Sequence, residues 1–141
     1  MAGINYPRVV LGGLAAGIVA NVCDVVTNMY LVADDMQRMI QRLNLDAGLI
    51  NSSSVRTTWM TIDFIYALLI VWTYAAIRPR LGPGPVTAVV AGLVLFAAST
   101  IILFGFQSMG IFTPELFWKS AVLSMGTTAL ASLVGGAVYK E

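Results

Sequence analysis

The chain has 141 residues, of which 58% are hydrophobic and only 11% are charged. Soluble domains carry about 25% charged residues, so this composition excludes an ordinary soluble domain and favours a membrane protein. The formal net charge is +1 and the basic residues are scattered, which argues against a nucleic-acid partner. The chain has one cysteine, so an intramolecular disulfide is impossible. It has no histidine, the commonest ligand of zinc and haem.

Four apolar segments occupy most of the chain: residues 9–32, 57–77, 86–106 and 116–139. Each is close to the ~20 residues that an α-helix needs to cross the hydrocarbon core of a bilayer. We therefore predict an all-α fold, an antiparallel bundle of four transmembrane helices that forms one integral membrane domain over residues 1–141.

The first segment carries small and polar residues on one face. Gly13, Gly17, Asn21, Asp24 and Asn28 fall within about 80° of one another on a helix. The glycines permit close approach of another helix, and the amides are of the kind that hydrogen-bond between membrane helices. Asp24 is the most informative residue, because a carboxyl group inside a membrane is costly and rare.

The longer connection between the first two segments, residues 33–56, contains a predicted amphipathic helix at about residues 35–45. Its apolar positions are Met36, Met39, Ile40 and Leu43, at helical spacing. We expect this helix to lie in the membrane interface. The alternative is a docking surface for another protein, because methionine-rich faces adapt to partners.

Polar or small residues also recur on one face of each later segment, which predicts a polar seam inside the bundle. In the second segment, Asp63 approaches the depth of Asp24, ~10 Å inside the same membrane face. Two carboxyls in one desolvated pocket are expected to hold at least one proton at neutral pH, so the pair could bind a cation or carry protons. The alternative is that the polar residues are hydrogen-bonding groups that hold the helices together.

These patterns give two sets of candidate residues. The candidate polar or ion site comprises Asn21, Asp24, Asn28, Asp63, Tyr66, Gln107, Ser124 and Thr127. The candidate helix-packing positions are Gly13, Gly17, Gly92, Ala131 and Gly135.

The connection between the second and third segments is predicted to be a short, stiff loop from Arg78 to Pro85, with two arginines that anchor it to lipid phosphates. Because Arg78 and Arg80 lie directly against two spans, we predict that this loop and both termini are cytoplasmic. The stretch YAAIRPRLGPGPVTA at residues 74–88 resembles a signature of uncharacterised bacterial four-span inner-membrane proteins. Their glycine-rich first helix and short Tyr-Lys-Glu tail also resemble residues 12–17 and 139–141. The resemblance implies the bacterial inner membrane and no activity.

Two functions are consistent with the sequence. The first is a non-enzymatic accessory, assembly or structural subunit that packs in the bilayer against a larger membrane complex or against itself. The second is a small proton- or cation-coupled transporter or channel that uses Asp24 and Asp63. We expect no enzyme activity, metal or cofactor, because catalytic motifs are missing and two aspartates without histidine make a poor metal site.

Overall fold

The computed structural model describes residues 3–139, and Lys140 and Glu141 of the predicted tail lie outside the described residues. The helices are α1 (Tyr6–Val26), α2 (Ala33–Arg42), α3 (Ala47–Ile50), α4 (Ser53–Leu81), α5 (Pro85–Ser108) and α6 (Pro114–Val138), and a π-helical turn, Thr27–Leu31, follows α1. Residues 3–139 contain no strand, so the described fold is all-α. Four helices are long and apolar enough to cross a membrane, which indicates a membrane protein.

Side-chain caps mark the starts of three of the long helices, α1, α4 and α6. The N–H of Arg8 donates to the Asn5 side chain at 3.3 Å, and the N–H of Val55 donates to Ser52 Oγ at 3.3 Å. At α6, Thr113 Oγ1 accepts from the N–H of Leu116 at 3.2 Å, with Pro114 in the first turn. These caps use backbone N–H groups that have no partner within the helix.

The helix α4 extends beyond the predicted segment 57–77 at both ends. It begins at the Ser52 cap, and it continues through Pro79 to Leu81. A loop starting at Arg78 was therefore a wrong prediction: Pro79 removes a single backbone donor, and near a helix end this loss is tolerated. The true connection is residues 82–84, where Gly82 and Gly84 have φ values of 82° and 144° that favour glycine.

The π-helical turn extends α1 to Leu31, and a bend at Val32 leads into α2. Within it, the N–H of Val32 donates to the carbonyl of Thr27 at 3.0 Å, which spans one residue more than an α-helical bond. The amphipathic helix then covers residues 33–42, and its Met39 packs in a small cluster with Val32 and Leu116. The apolar face of α2 is thus turned toward the start of α6.

The four long helices pack around a core of small residues. The helix α1 packs against α4 and α6, and α5 packs against α6 and α4. Close approach depends on glycines: a Cβ atom on Gly12 would lie 2.8 Å from the carbonyl oxygen of Gly135. The main buried cluster comprises Val9, Ala16, Ala20, Ala67, Val71, Tyr74, Ala75, Ala88, Ala91, Ala131 and Tyr139.

Candidate functional site

One half of the bundle is closely packed and the other half is not. No residue is buried in segments 22–31, 53–66, 93–108 and 118–127, although each belongs to one of the four long helices or the turn after α1. We call these four segments the open half. The cluster of Val32, Met39 and Leu116 lies at its far end. It covers the end of α1 and the start of α6, while the start of α4 and the end of α5 contribute no buried residue there.

Asn21 marks the border between the packed half and the open half. It is buried, and its Nδ2 donates 2.9 Å to the carbonyl of Gly17 and 3.4 Å to the carbonyl of Met60 on α4. The amide therefore links α1 to a backbone acceptor on the neighbouring helix. This contact is hydrogen bonding between membrane helices, as predicted for the amides of the first segment.

The two aspartates lie beside this crossing of α1 and α4. Asp24 follows Asn21 by one turn, and Asp63 lies between Met60 and Phe64 on α4. Side chains lean toward the N-terminus of their own helix, so Asp24 leans back toward Asn21 and Asp63 toward Met60. The two aspartates therefore lie on either side of the contact between Asn21 and Met60.

Neither carboxyl has a stabilising partner among residues 3–139. Within residues 3–139, no hydrogen bond or ion pair is made by the carboxyl group of Asp24 or Asp63. Both side chains are only half-buried. A carboxyl group at the depth of a membrane needs hydrogen bonds, an ion pair, a proton or water. Within residues 3–139, the protein supplies neither a hydrogen-bond donor nor a counter-charge to these carboxyls.

The remaining candidate residues divide into two groups. Tyr66, Gln107 and Thr127 are half-buried in the open half. Asn28 and Ser124 are exposed, so the structure does not bring them into the interior. Asn28 Nδ2 donates 2.8 Å to the carbonyl of Asp24, within its own chain segment, and this bond satisfies the amide without a partner helix.

The predicted helix-packing positions lie at close approaches between helices. A Cβ atom on Gly13 would meet Leu68, one on Gly17 would meet Phe64, and one on Gly92 would meet Ser132. At Gly135 it would lie 2.5 Å from Val71 Cγ2 and 3.1 Å from Ala16 Cβ. Ala131 is also buried, with 1% of its surface exposed. The small residues therefore set the separation of the helices in the packed half.

The two arginines at the end of α4 have different surroundings. Arg80 is exposed. The guanidinium carbon of Arg78 lies 5.6 Å from the centroid of the Tyr139 ring, a cation–π geometry. Tyr139 also makes an edge-on contact with Tyr74 at a centroid distance of 5.9 Å. Arg78 thus packs against the end of the bundle, whereas Arg80 does not.

Sequence reasoning missed an ion-pair network on α2. Asp35 is buried, its Oδ2 accepts a 2.9 Å hydrogen bond from Lys119 Nζ, and its Oδ1 is paired with Arg38. The hydrogen bond from Lys119, and then that from Arg38, hold the pKa of Asp35 below its ordinary value. The spacing of Asp35 and Arg38 was a visible signal, but Lys119 is too distant in sequence to be matched to Asp35 from the pattern.

The described residues do not form a recognisable metal site. No group of three or more Cys, Asp or Glu side chains within residues 3–139 could hold a metal ion. No protein-family model, curated protein or solved structure matches the chain.

Proposed function

We propose that this protein is a non-enzymatic integral membrane protein that serves as an accessory or assembly subunit and packs against another membrane protein. The observation that supports this role most strongly is the open half. It combines four helix segments without a buried residue and two carboxyls without a hydrogen bond or ion pair in residues 3–139.

The physical reason is that lipid cannot complete such a surface. Apolar side chains exposed on the helices are satisfied by hydrocarbon, and scattered exposure of this kind needs no partner. Carboxyl groups differ, because hydrocarbon offers them neither a hydrogen-bond donor nor a counter-charge. Polar residues at membrane depth therefore favour a surface that is completed by another protein.

The proposal includes an arrangement in the membrane. The four long helices form an antiparallel bundle in the bacterial inner membrane, with both termini and the Gly82–Gly84 connection on the cytoplasmic side. The exposed Arg80 beside that connection supports this orientation, since basic residues next to short loops favour the cytoplasm. The helix α2 lies in the opposite interface, and its polar residues Gln37 and Arg38 are exposed.

The direct test is native mass spectrometry of the protein after gentle extraction from its own membrane. We expect a stoichiometric complex with another membrane protein. A variant with both Asp24 and Asp63 changed to Asn should lose the complex, and Asp34→Asn should keep it, because Asp34 is exposed on α2 outside the open half. A lone monomer of the wild-type protein under these conditions would refute the accessory role.

A second function is favoured by the half-buried carboxyls of Asp24 and Asp63, which lie on either side of the contact between Asn21 and Met60. With half-buried Tyr66 and Thr127 in the same half of the bundle, they could support proton- or cation-coupled transport. In proteoliposomes, such a function requires that Asp24→Asn abolish a proton-linked flux while the protein remains folded. An unchanged flux in that variant, or the absence of any flux in the wild type, would exclude it.

A further inference from the structure

We propose that this protein selectively binds an anionic phospholipid where α4 passes into α5. The guanidinium group of Arg80 pairs with the lipid phosphate, and the apolar side chains beside it contact the acyl chains. This end of the bundle lies away from the open half, so the proposal is independent of the accessory function. Three features of this end support it: the distribution of charge, the different surroundings of its arginines, and the apolar groups next to Arg80.

Charge is distributed unevenly along the bundle. Within the described residues, the segments 3–21, 67–92 and 128–139 carry no acidic side chain, and their basic ones are Arg8, Arg78 and Arg80. The segments 22–66 and 93–127 carry six acidic side chains and four basic ones, so their charges nearly balance with a small acidic excess. Only the first group of segments therefore presents a net positive charge, which attracts the phosphates of anionic lipids.

The arginines of the cationic segments lie where three helices meet. The Tyr139 hydroxyl accepts a 3.2 Å hydrogen bond from the N–H of Asn5 before α1, and its ring makes an edge-on contact with Tyr74 on α4. The guanidinium carbon of Arg78 lies 5.6 Å from the centroid of the same ring. Arg78 is therefore engaged with the protein, whereas Arg80 is exposed beyond it on α4. The sequence predicts lipid contacts for both arginines, and the structure favours Arg80.

Arg80 lies beside apolar groups of the kind that contact acyl chains. Leu81 follows it and is 59% exposed, and Val86, beyond the connection, is 76% exposed. Both line an open recess of about 360 Å³, together with Pro83 and Val90. A phospholipid has a phosphate next to hydrocarbon, so it matches a basic side chain next to exposed apolar groups. An inorganic phosphate ion would match the charge alone.

The backbone around this recess is fixed by two hydrogen bonds. The N–H of Gly84 donates to the Tyr74 hydroxyl at 3.3 Å, and Thr87 Oγ1 donates to the carbonyl of Gly82 at 2.8 Å. These bonds join the connection to α4 on one side and to α5 on the other. The recess is thus largely formed before a lipid arrives, which lowers the ordering cost of binding.

The test measures lipid selectivity by fluorescence quenching of the full-length protein in vesicles. Trp72 precedes Arg80 by eight residues on α4, ~12 Å along the helix, which corresponds to the acyl chains of one leaflet. With Trp59 and Trp118 changed to Phe, Trp72 is the single reporter. Its quenching by brominated phosphatidylglycerol is compared with that by brominated phosphatidylcholine. We expect phosphatidylglycerol to bind about fivefold more strongly, the effect of about 1 kcal/mol from one arginine near the membrane surface.

Trp59 provides an internal control on the same helix. It lies near the start of α4, in the segments whose charges nearly balance. With Trp72 and Trp118 changed to Phe, quenching of Trp59 should be about equal for the two lipids. A preference for phosphatidylglycerol of the same size around both reporters would show that the selectivity does not arise at the recess, and would overturn the proposal.

Protein variants then assign the effect to Arg80. In the Trp72 reporter protein, R80Q should bring the two lipids close to equal binding, and R80K should keep the preference because it keeps the charge. R56Q is the matched control, since Arg56 is an exposed arginine near the start of the same helix, and it should leave the preference unchanged. Circular dichroism and gel filtration establish that each variant is folded. Equal binding of the two lipids around Trp72 before any arginine is changed, or a preference that persists when R8Q and R80Q are combined, would overturn the proposal.

Discussion

Lys119 Nζ donates a 2.9 Å hydrogen bond to Asp35 Oδ2 and so joins α6 to the amphipathic helix α2, across 84 residues of sequence. The contact lies beside the cluster of Val32, Met39 and Leu116. Together, the ion pair and the cluster hold α2 against the end of the bundle. An amphipathic helix that only rested on lipid would not require a specific ion pair with a transmembrane helix.

This contact predicts a local loss of order at low pH. The pKa of Asp35 is held below its ordinary value by Lys119 and then by Arg38, so its charged form stabilises the folded state. That stability is fully present above the ordinary aspartate pKa of about 3.9 and is lost as the pH falls through the lower folded value. We expect backbone amides of α2 to exchange hydrogen several-fold faster, relative to those of α1, below about pH 4.

The variant Asp35→Asn should produce the same faster exchange at neutral pH. Asp34→Asn is its matched control, because Asp34 is the exposed neighbour on the same helix turn. Unchanged protection of α2 in Asp35→Asn would show that the apolar cluster alone positions this helix.

A larger side chain at Gly135, in the packed half, is expected to destabilise the protein strongly. A Cβ atom there would lie 2.5 Å from Val71 Cγ2 and 3.1 Å from Ala16 Cβ, on two different helices. Gly135→Val should therefore separate α6 from its neighbours and destabilise the protein by about 1–3 kcal/mol. Thermal unfolding in mild detergent measures the change.

Gly126 on the same helix provides the control for that substitution. A Cβ atom there would meet nothing within 4 Å. Gly126→Ala should be neutral or stabilise the helix by up to about 1 kcal/mol, because alanine has the higher helix propensity. Equal destabilisation by both variants would indicate that helix contact at Gly135 is not the cause.

Asp63 predicts a gain of stability when its charge is removed from the isolated protein. Its carboxyl has no hydrogen bond or ion pair within residues 3–139. Asp63→Leu should raise the unfolding temperature in lipid nanodiscs, with a gain of about 1–3 kcal/mol for removal of a charged group from membrane depth. The same variant should lose the partner complex. A lower unfolding temperature would reveal that the carboxyl is stabilised within the isolated protein.

Removal of the Tyr139 hydroxyl, at the opposite end of the bundle, is expected to lower the unfolding free energy by a smaller amount. Its hydroxyl accepts a 3.2 Å hydrogen bond from the N–H of Asn5, which joins the end of α6 to the start of α1. Tyr139→Phe keeps the ring contact with Tyr74 and removes this bond. We expect a loss of about 0.5–1.5 kcal/mol in unfolding free energy. Tyr30→Phe should have no effect, because Tyr30 is 75% exposed.

The sequence by itself determined the helices, because length, apolarity and caps act locally. Four segments of membrane-spanning length predicted four long helices. Small residues such as Gly17 and Gly135 also predicted where helices approach closely, since a missing side chain is itself the local signal. The continuation of α4 through Pro79 was missed because the surrounding helix outweighs one lost donor.

Only the tertiary structure decided which polar residues face one another. Helical spacing placed Asn28 on the same face as Asn21, yet Asn28 is exposed and bonded to its own segment. The π-helical turn shifts the helical register at that point, and the regular spacing of an α-helix does not predict such a shift. The pairing of Lys119 with Asp35 and the lack of buried residues in the open half likewise depend on how distant helices pack. Interactions that are local in sequence do not specify this packing.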